Sequence, residues 1–84
     1  MKIRILASAS RDLIDGYDFY ENQAEGLGTY FLDSLYSDID SLMVSAGVHA
    51  VHFGKYHRLL SKRFPFAVYY RAEGEIVKVY AVLD

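Results

Sequence analysis

Six of the nine cationic side chains stand between residues 55 and 78, namely Lys55, Arg58, Lys62, Arg63, Arg71 and Lys78, with Tyr69 and Tyr80 set among and beside them. Guanidinium and ammonium groups neutralise phosphates or carboxylates, and tyrosine rings stack on unpaired bases at about 1–3 kcal/mol each, so the mixture suits an anionic macromolecule. Arg58, Lys62, Tyr69, Arg71, Lys78 and Tyr80 are therefore the candidate target-binding residues. The plainer reading of the same residues is a solvated sheet face, on which Lys and Arg discourage edge pairing and Tyr is a good strand former.

Other clusters offer less. His49, His52 and His57 lie within nine positions, and the first two make an HxxH. Zinc wants three or four ligands, yet the sequence has no Cys, and Asp and Glu are missing from the stretch between Asp40 and Glu73, so no metal site is expected. A lone His57 without a positioned partner reads as structural or surface rather than as a general acid or base. Gly26-Leu27-Gly28 has the look of a dinucleotide turn but lacks the strand that such a turn follows; it is a helix break, and no cofactor is expected. No GxSxG or phosphate-binding loop occurs. Asp12, Asp15, Asp18, Glu21 and Glu25 fall at spacings of three to four, a solvated helical stripe rather than a calcium loop.

The elements that position these residues follow from periodicity. Lys2 and Arg4 alternate with Ile3 and Ile5, a half-buried strand within residues 1–7. Ser8 or Ser10 is then expected to cap a helix whose apolar positions are Ala9, Leu13, Gly16 or Tyr17, Tyr20 and Ala24. Gly26 and Gly28 break it, and Leu27, Phe31, Leu35, Ile39 and Leu42 restart the period in a second helix ending at Gly47, so that the two form an αα-hairpin. Residues 48–56 read as a loop. Period two with β-branched and aromatic residues then predicts strands over 57–63, 66–71 and 76–83. Pro65 precedes a strand rather than interrupting one, and Ala72-Glu73-Gly74-Glu75 is a turn with Gly74 at positive φ.

The fold class is thus α+β, in the order β-α-α-β-β-β, with a helical hairpin packed on a small antiparallel sheet. Strict alternation puts Phe66, Val68, Tyr70, Val77, Val79, Ala81 and Leu83 toward the helices. Tyr69, Arg71, Lys78 and Tyr80 then share the reverse side.

An 84-residue chain has room for one core, so residues 1–84 are expected to be a single domain. Hydrophobic residues at 52% against 24% charged exclude a disordered tail. No apolar run is long enough to cross a bilayer, and the first residues are too briefly apolar for a signal peptide; with no Cys, the expectation is a cytoplasmic protein without membrane partners. The formal charge of −2 hides an asymmetry. Residues 1–46 sum to −5 and residues 47–84 to +3, which points to an anion-facing surface in the second part.

Several segments in order look familiar: Ala9-Ser10-Arg11-Asp12-Leu13, Phe19-Tyr20-Glu21, Gly26-Leu27-Gly28 with Phe31, Arg58-Leu59-Leu60, Arg63-Phe64-Pro65-Phe66 with Tyr69-Tyr70, and Ala81-Val82-Leu83-Asp84. Together they resemble the RelE/ParE superfamily of bacterial toxins, often called plasmid stabilisation proteins, and the resemblance covers essentially all of the chain. It implies the toxin of a type II toxin-antitoxin module, neutralised by a cognate antitoxin protein, in a homodimer or a toxin-antitoxin hetero-oligomer. RelE-like members of the superfamily cut mRNA on the ribosome, whereas ParE-like members poison DNA gyrase. The helical hairpin and the Phe-Pro-aromatic strand entry are more similar to the ParE type.

The alternative that the resemblance leaves is a RelE-like mRNA interferase. There Lys55, Arg58, Arg63 and Arg71 correspond to the catalytic region: Arg63 or Arg71 steadies the extra charge on phosphorus and Lys55 acts as base. RelE-like enzymes keep some functional residues, a tyrosine among them, in a tail beyond the last strand, where this sequence stops at Asp84. Gyrase inhibition needs a recognition surface rather than a catalytic group, which favours the ParE-like reading; a truncated toxin that only binds antitoxin is the third.

Overall fold

The computed structural model describes residues 1–49, 51–52 and 54–84. Strand β1 (Lys2–Ile5) turns Ile3 and Ile5 toward the core and leaves Lys2 and Arg4 exposed, as its alternation requires. Helix α1 (Ala7–Glu21) follows at once, and the expected serine cap is absent. Leu6, whose side chain cannot cap, stands at the N-cap, and its N–H is still paired with the sheet, donating to the Val79 carbonyl at 3.0 Å. The chain leaves the sheet directly into the helix, and Ser8 is freed for another partner.

Helix α2 (Leu27–Asp40) starts after Gly26, whose φ of +87° only glycine adopts cheaply. The Glu21 carboxylate accepts from the N–H groups of Gly26 (3.0 Å) and Gly28 (2.9 Å). It closes the hairpin and places an anion at the positive end of α2. Two glycines leave the helices room to pack: a methyl group on Gly16 would meet the Phe31 ring at 2.4 Å, and one on Gly28 the Tyr17 carbonyl oxygen at 2.7 Å.

The second helix does not run unbroken to Gly47. It ends at Asp40, and a single turn, α3 (Leu42–Ser45), follows. The Ser41 hydroxyl donates to the Asp38 carbonyl at 2.5 Å and that of Ser45 to the Ser41 carbonyl at 3.0 Å, side-chain bonds that compete with the helical ladder. Within the stretch read as loop lies a two-residue strand, β2 (Val51–His52), too short to leave a periodic signal. Ala50 and Phe53 of that stretch lie outside the described residues.

Strands β3 (Tyr56–Leu60), β4 (Ala67–Glu73) and β5 (Ile76–Leu83) complete the sheet, in the order β1-β5-β4-β3-β2. The sheet is mixed rather than wholly antiparallel, because β1 runs parallel to β5 with Ile3 opposite Val77. A parallel pair needs a long connection: the helical hairpin carries the chain from β1 to β2 at the far edge, and the sheet returns through β3 and β4 to β5. Strand β3 stops three residues earlier than its pattern suggests, since the Asp38 carboxylate captures the Ser61 hydroxyl (2.6 Å) and the Lys62 N–H (3.3 Å) and bends the chain. Pro65 precedes β4, and Gly74 takes a φ of +61° in the β4–β5 turn, both as expected.

The core joins Leu13, Phe31, Leu35, Ile39 and Leu42 of the helices to Val68, Tyr70, Val77, Val79 and Val82 of the sheet. One part of the face assignment is overturned. The β4–β5 register shifts between Tyr69, opposite Ala81, and Tyr70, opposite Val79, so Tyr80 is an extra residue on β5. Such a bulge reverses the alternation beyond it. Val82 is therefore buried, while Leu83 is 48% exposed and Ala81 lies on the outer side.

Candidate functional site

The face of the sheet turned away from the helices carries the tyrosines and cations of β3, β4 and β5. Arg58 stands opposite Tyr69, and Tyr69 opposite Ala81, a row running across three strands; one step along, Arg71 faces Lys78. Residues in such rows share a side: Tyr69, Arg71 and Lys78 come together as the alternation predicts, the β3–β4 register brings Arg58 to them, and all four are partly exposed. Tyr80, two residues beyond Lys78, is on this side by alternation, and the bulge adds Ala81 and Leu83. The Tyr80 ring lies 5.1 Å from that of Tyr56, centre to centre and edge to face. Tyr56, Tyr69, Tyr80, Ala81 and Leu83 wall a shallow cavity of about 330 Å³.

Charge on this face is partly compensated from within. The Glu73 carboxylate reaches Arg71 at 3.5 Å with one oxygen and Lys78 at 3.3 Å with the other. Arg71 and Lys78 are direct cross-strand neighbours, and like charges so placed repel, which explains why an acid two residues further along β4 settles between them.

The remaining predicted residues lie elsewhere. Lys55 is exposed in the turn before β3, its ammonium 5.7 Å from the centre of the Tyr56 ring. Lys62 and Arg63 are exposed in the bend after β3, at the other end of that strand. Lys55 and Arg63 thus do not converge with each other.

The histidines have structural partners. His57 stacks on the Tyr70 ring at 5.1 Å, and its Nδ1 lies 2.7 Å from the His49 carbonyl, to which it donates. The Tyr70 hydroxyl accepts from the Gly47 N–H at 3.0 Å and stands 2.5 Å from His49 Nδ1. The His52 side chain lies outside the described residues. Among the described residues no three His, Cys, Asp or Glu side chains are grouped as a metal would need.

Sequence reasoning missed the contribution of Tyr56, Ala81, Leu83 and above all Glu73. Glu73 carried a signal, being two residues from Arg71 and hence on its side of the strand. Ala81 and Leu83 carried none, because only the bulge puts them there.

Neither a family model nor a curated protein matches the sequence. Among solved structures, a chain from the chromosomal ParDE TA system from P. aeruginosa superposes with a TM-score of 0.86 at 19% identity, over 99% of this chain and 94% of that one. The fold is ParE-like. The superposition runs over nearly the whole of both chains, so the fold is shared from β1 to β5. At this identity the likeness concerns the frame alone, and activity has to be argued from the side chains.

Proposed function

We propose that residues 1–84 act as one toxin domain of a type II toxin-antitoxin module, a cytoplasmic ParE-like protein that inhibits DNA gyrase and is neutralised by a cognate antitoxin. The observation that carries this reading is the clustering of Arg58, Tyr69, Arg71, Lys78 and Tyr80 on the uncovered side of a ParE-like sheet. These side chains suit recognition of a large anionic or amphipathic surface. Cleavage of RNA by attack of a 2′-hydroxyl asks instead for a base, an acid and a phosphate clamp converging within hydrogen-bond reach. Lys55 and Arg63, candidates for two of those roles, sit at opposite ends of β3, which favours inhibition by binding over an interferase. Apolar residues exposed on the helices, Ile14 and Phe19 on α1 and Val44 on α3, support the capture of an antitoxin segment.

The test is induction in cells followed by assay of the purified protein on gyrase. Growth arrest with lost supercoiling or trapped cleavage complexes is expected. Unchanged supercoiling without cleavage complexes overturns the gyrase reading, and mRNA cut during the arrest moves it to the interferase.

A further inference from the structure

The open face holds two features side by side that a single ligand can use. One is the Arg71 and Lys78 pair, already bridged by a carboxylate, that of Glu73. The other is the cavity walled by Tyr56, Tyr69, Tyr80, Ala81 and Leu83. Lys78 and Tyr80 are two residues apart on one strand and one side, a separation of roughly 7 Å. An extended peptide repeats its own same-side residues at that interval.

Two observations decide between a peptide and a nucleic acid. The cation pair accommodates a carboxylate in this very structure, so a partner's Asp or Glu needs no new geometry. The Tyr56 and Tyr80 rings meet at 65°, so this pair does not form a parallel-walled slot for a base, whereas an aliphatic or aromatic side chain fits against ring edges, the Ala81 methyl and Leu83.

We infer that the open sheet face docks an extended acidic segment of a partner protein, one carboxylate of which replaces Glu73 between Arg71 and Lys78 while the apolar side chain two residues away enters the tyrosine-walled cavity. Glu73 is then an internal competitor. All three charged groups are partly exposed, with side-chain accessibilities of 41%, 29% and 38% for Arg71, Lys78 and Glu73, so the ion pairs are weak enough to exchange. The inference rests on the open-face part of the toxin reading and not on gyrase.

The experiment is fluorescence polarisation of the whole purified chain with a fluorescein-labelled peptide of Glu-Thr-Leu-Thr repeats, compared with its Gln-Thr-Leu-Thr counterpart and with oligo(dT). Saturable binding of the acidic peptide is expected, tightened about threefold by Glu73→Gln and weakened about threefold or more by Lys78→Gln and by Tyr80→Ala. Unchanged or weaker binding by a folded Glu73→Gln variant overturns the proposal. So does oligo(dT) binding more tightly than the peptide with the same dependence on Lys78 and Tyr80, which makes the ligand a nucleic acid. Should Glu73→Gln fail to fold, Lys78→Gln decides, loss of peptide binding supporting the proposal and full retention overturning it. Because the readout is peptide affinity, a negative supercoiling assay leaves it standing, and a negative peptide assay leaves the gyrase reading standing.

Discussion

The carboxylate of Asp12, on α1, accepts the backbone N–H of Val82, on β5, at 2.9 Å. One turn earlier the Ser8 hydroxyl donates to the Tyr80 carbonyl at 2.6 Å. Strand β1 ends opposite Val79, so the edge of β5 beyond that point has no strand beside it; two side chains of α1, four residues apart, take the place of one. An uncovered edge invites pairing with other chains, and this device blunts it.

Asp12→Ala therefore leaves the Val82 N–H without its partner beside the core. A loss of about 1–3 kcal/mol is expected in urea unfolding, together with faster hydrogen exchange at the Val82 amide. Asp12→Asn keeps a side-chain oxygen and is expected to cost less than Asp12→Ala; equal losses would assign the effect to charge instead.

Asp38 is 3% exposed and holds the Ser61 hydroxyl and the Lys62 N–H. Asp38→Ala orphans both donors, with an expected cost of about 2–3 kcal/mol. Because Ser61 then loses its reason to be polar, Asp38→Ala and Ser61→Ala together are expected to cost less than the sum of the two changes made separately, a coupling that a double-mutant cycle measures.

The Gly28 position tests the helix crossing. Alanine is the better helix former by about 1 kcal/mol, but here its methyl group would press on the backbone carbonyl of Tyr17 at 2.7 Å, and overpacking costs about 1–3 kcal/mol. The clash is with backbone, which cannot rotate away, so Gly28→Ala is expected to lower the melting temperature. A raised melting temperature would mean that the helices separate easily.

Tyr70→Phe removes the hydroxyl shared by the Gly47 N–H and His49 while keeping the ring in the core. The expected cost is about 1–3 kcal/mol, concentrated in protection of the Gly47 amide rather than of the Val77 and Val79 amides. Uniform loss of protection would show that Tyr70 serves the whole core instead of the segment after α3.

Face and core separate function from stability. Under the proposed gyrase reading, Arg58→Glu is expected to weaken the effect on supercoiling with little change in the thermal melt, because Arg58 lies partly exposed on the outer side. Phe31→Ala, in the centre of the core at 0% exposure, is expected to cost about 3–5 kcal/mol. If both changes destabilise equally by circular dichroism, Arg58 is structural.

Much of this arrangement was legible in the residues. Ile3 and Ile5 against Lys2 and Arg4, the stripe from Phe31 through Leu35 to Ile39, and the Gly74 turn each carry a pattern long or specific enough to read. The bulge was not, because both phases of β5 are apolar around it: Val79, Ala81 and Leu83 alternate with Tyr80 and Val82, and either set satisfies the core. Only the pairing with β4 selects Val82. The Ser8 hydroxyl misled because its sheet partner is remote in sequence, and β2 offered two residues where a periodic signal needs more. For the candidate site, the shared side of Tyr69, Arg71 and Lys78 was legible from strand period and the need to bury the apolar phase, whereas the place of Arg58 depends on the β3–β4 register and the role of Glu73 on which two cations meet across strands.

The pairing of Lys2 with Ile76 and Ile5 with Val79 joins the earliest strand to the latest. During synthesis, then, Ile3 and Ile5 wait unpartnered while every other element emerges, and the sheet closes last at its β1 border. The border strand therefore docks only once β5 has been made, and the outer face of the sheet, with Lys78 and Tyr80 on it, is assembled no earlier.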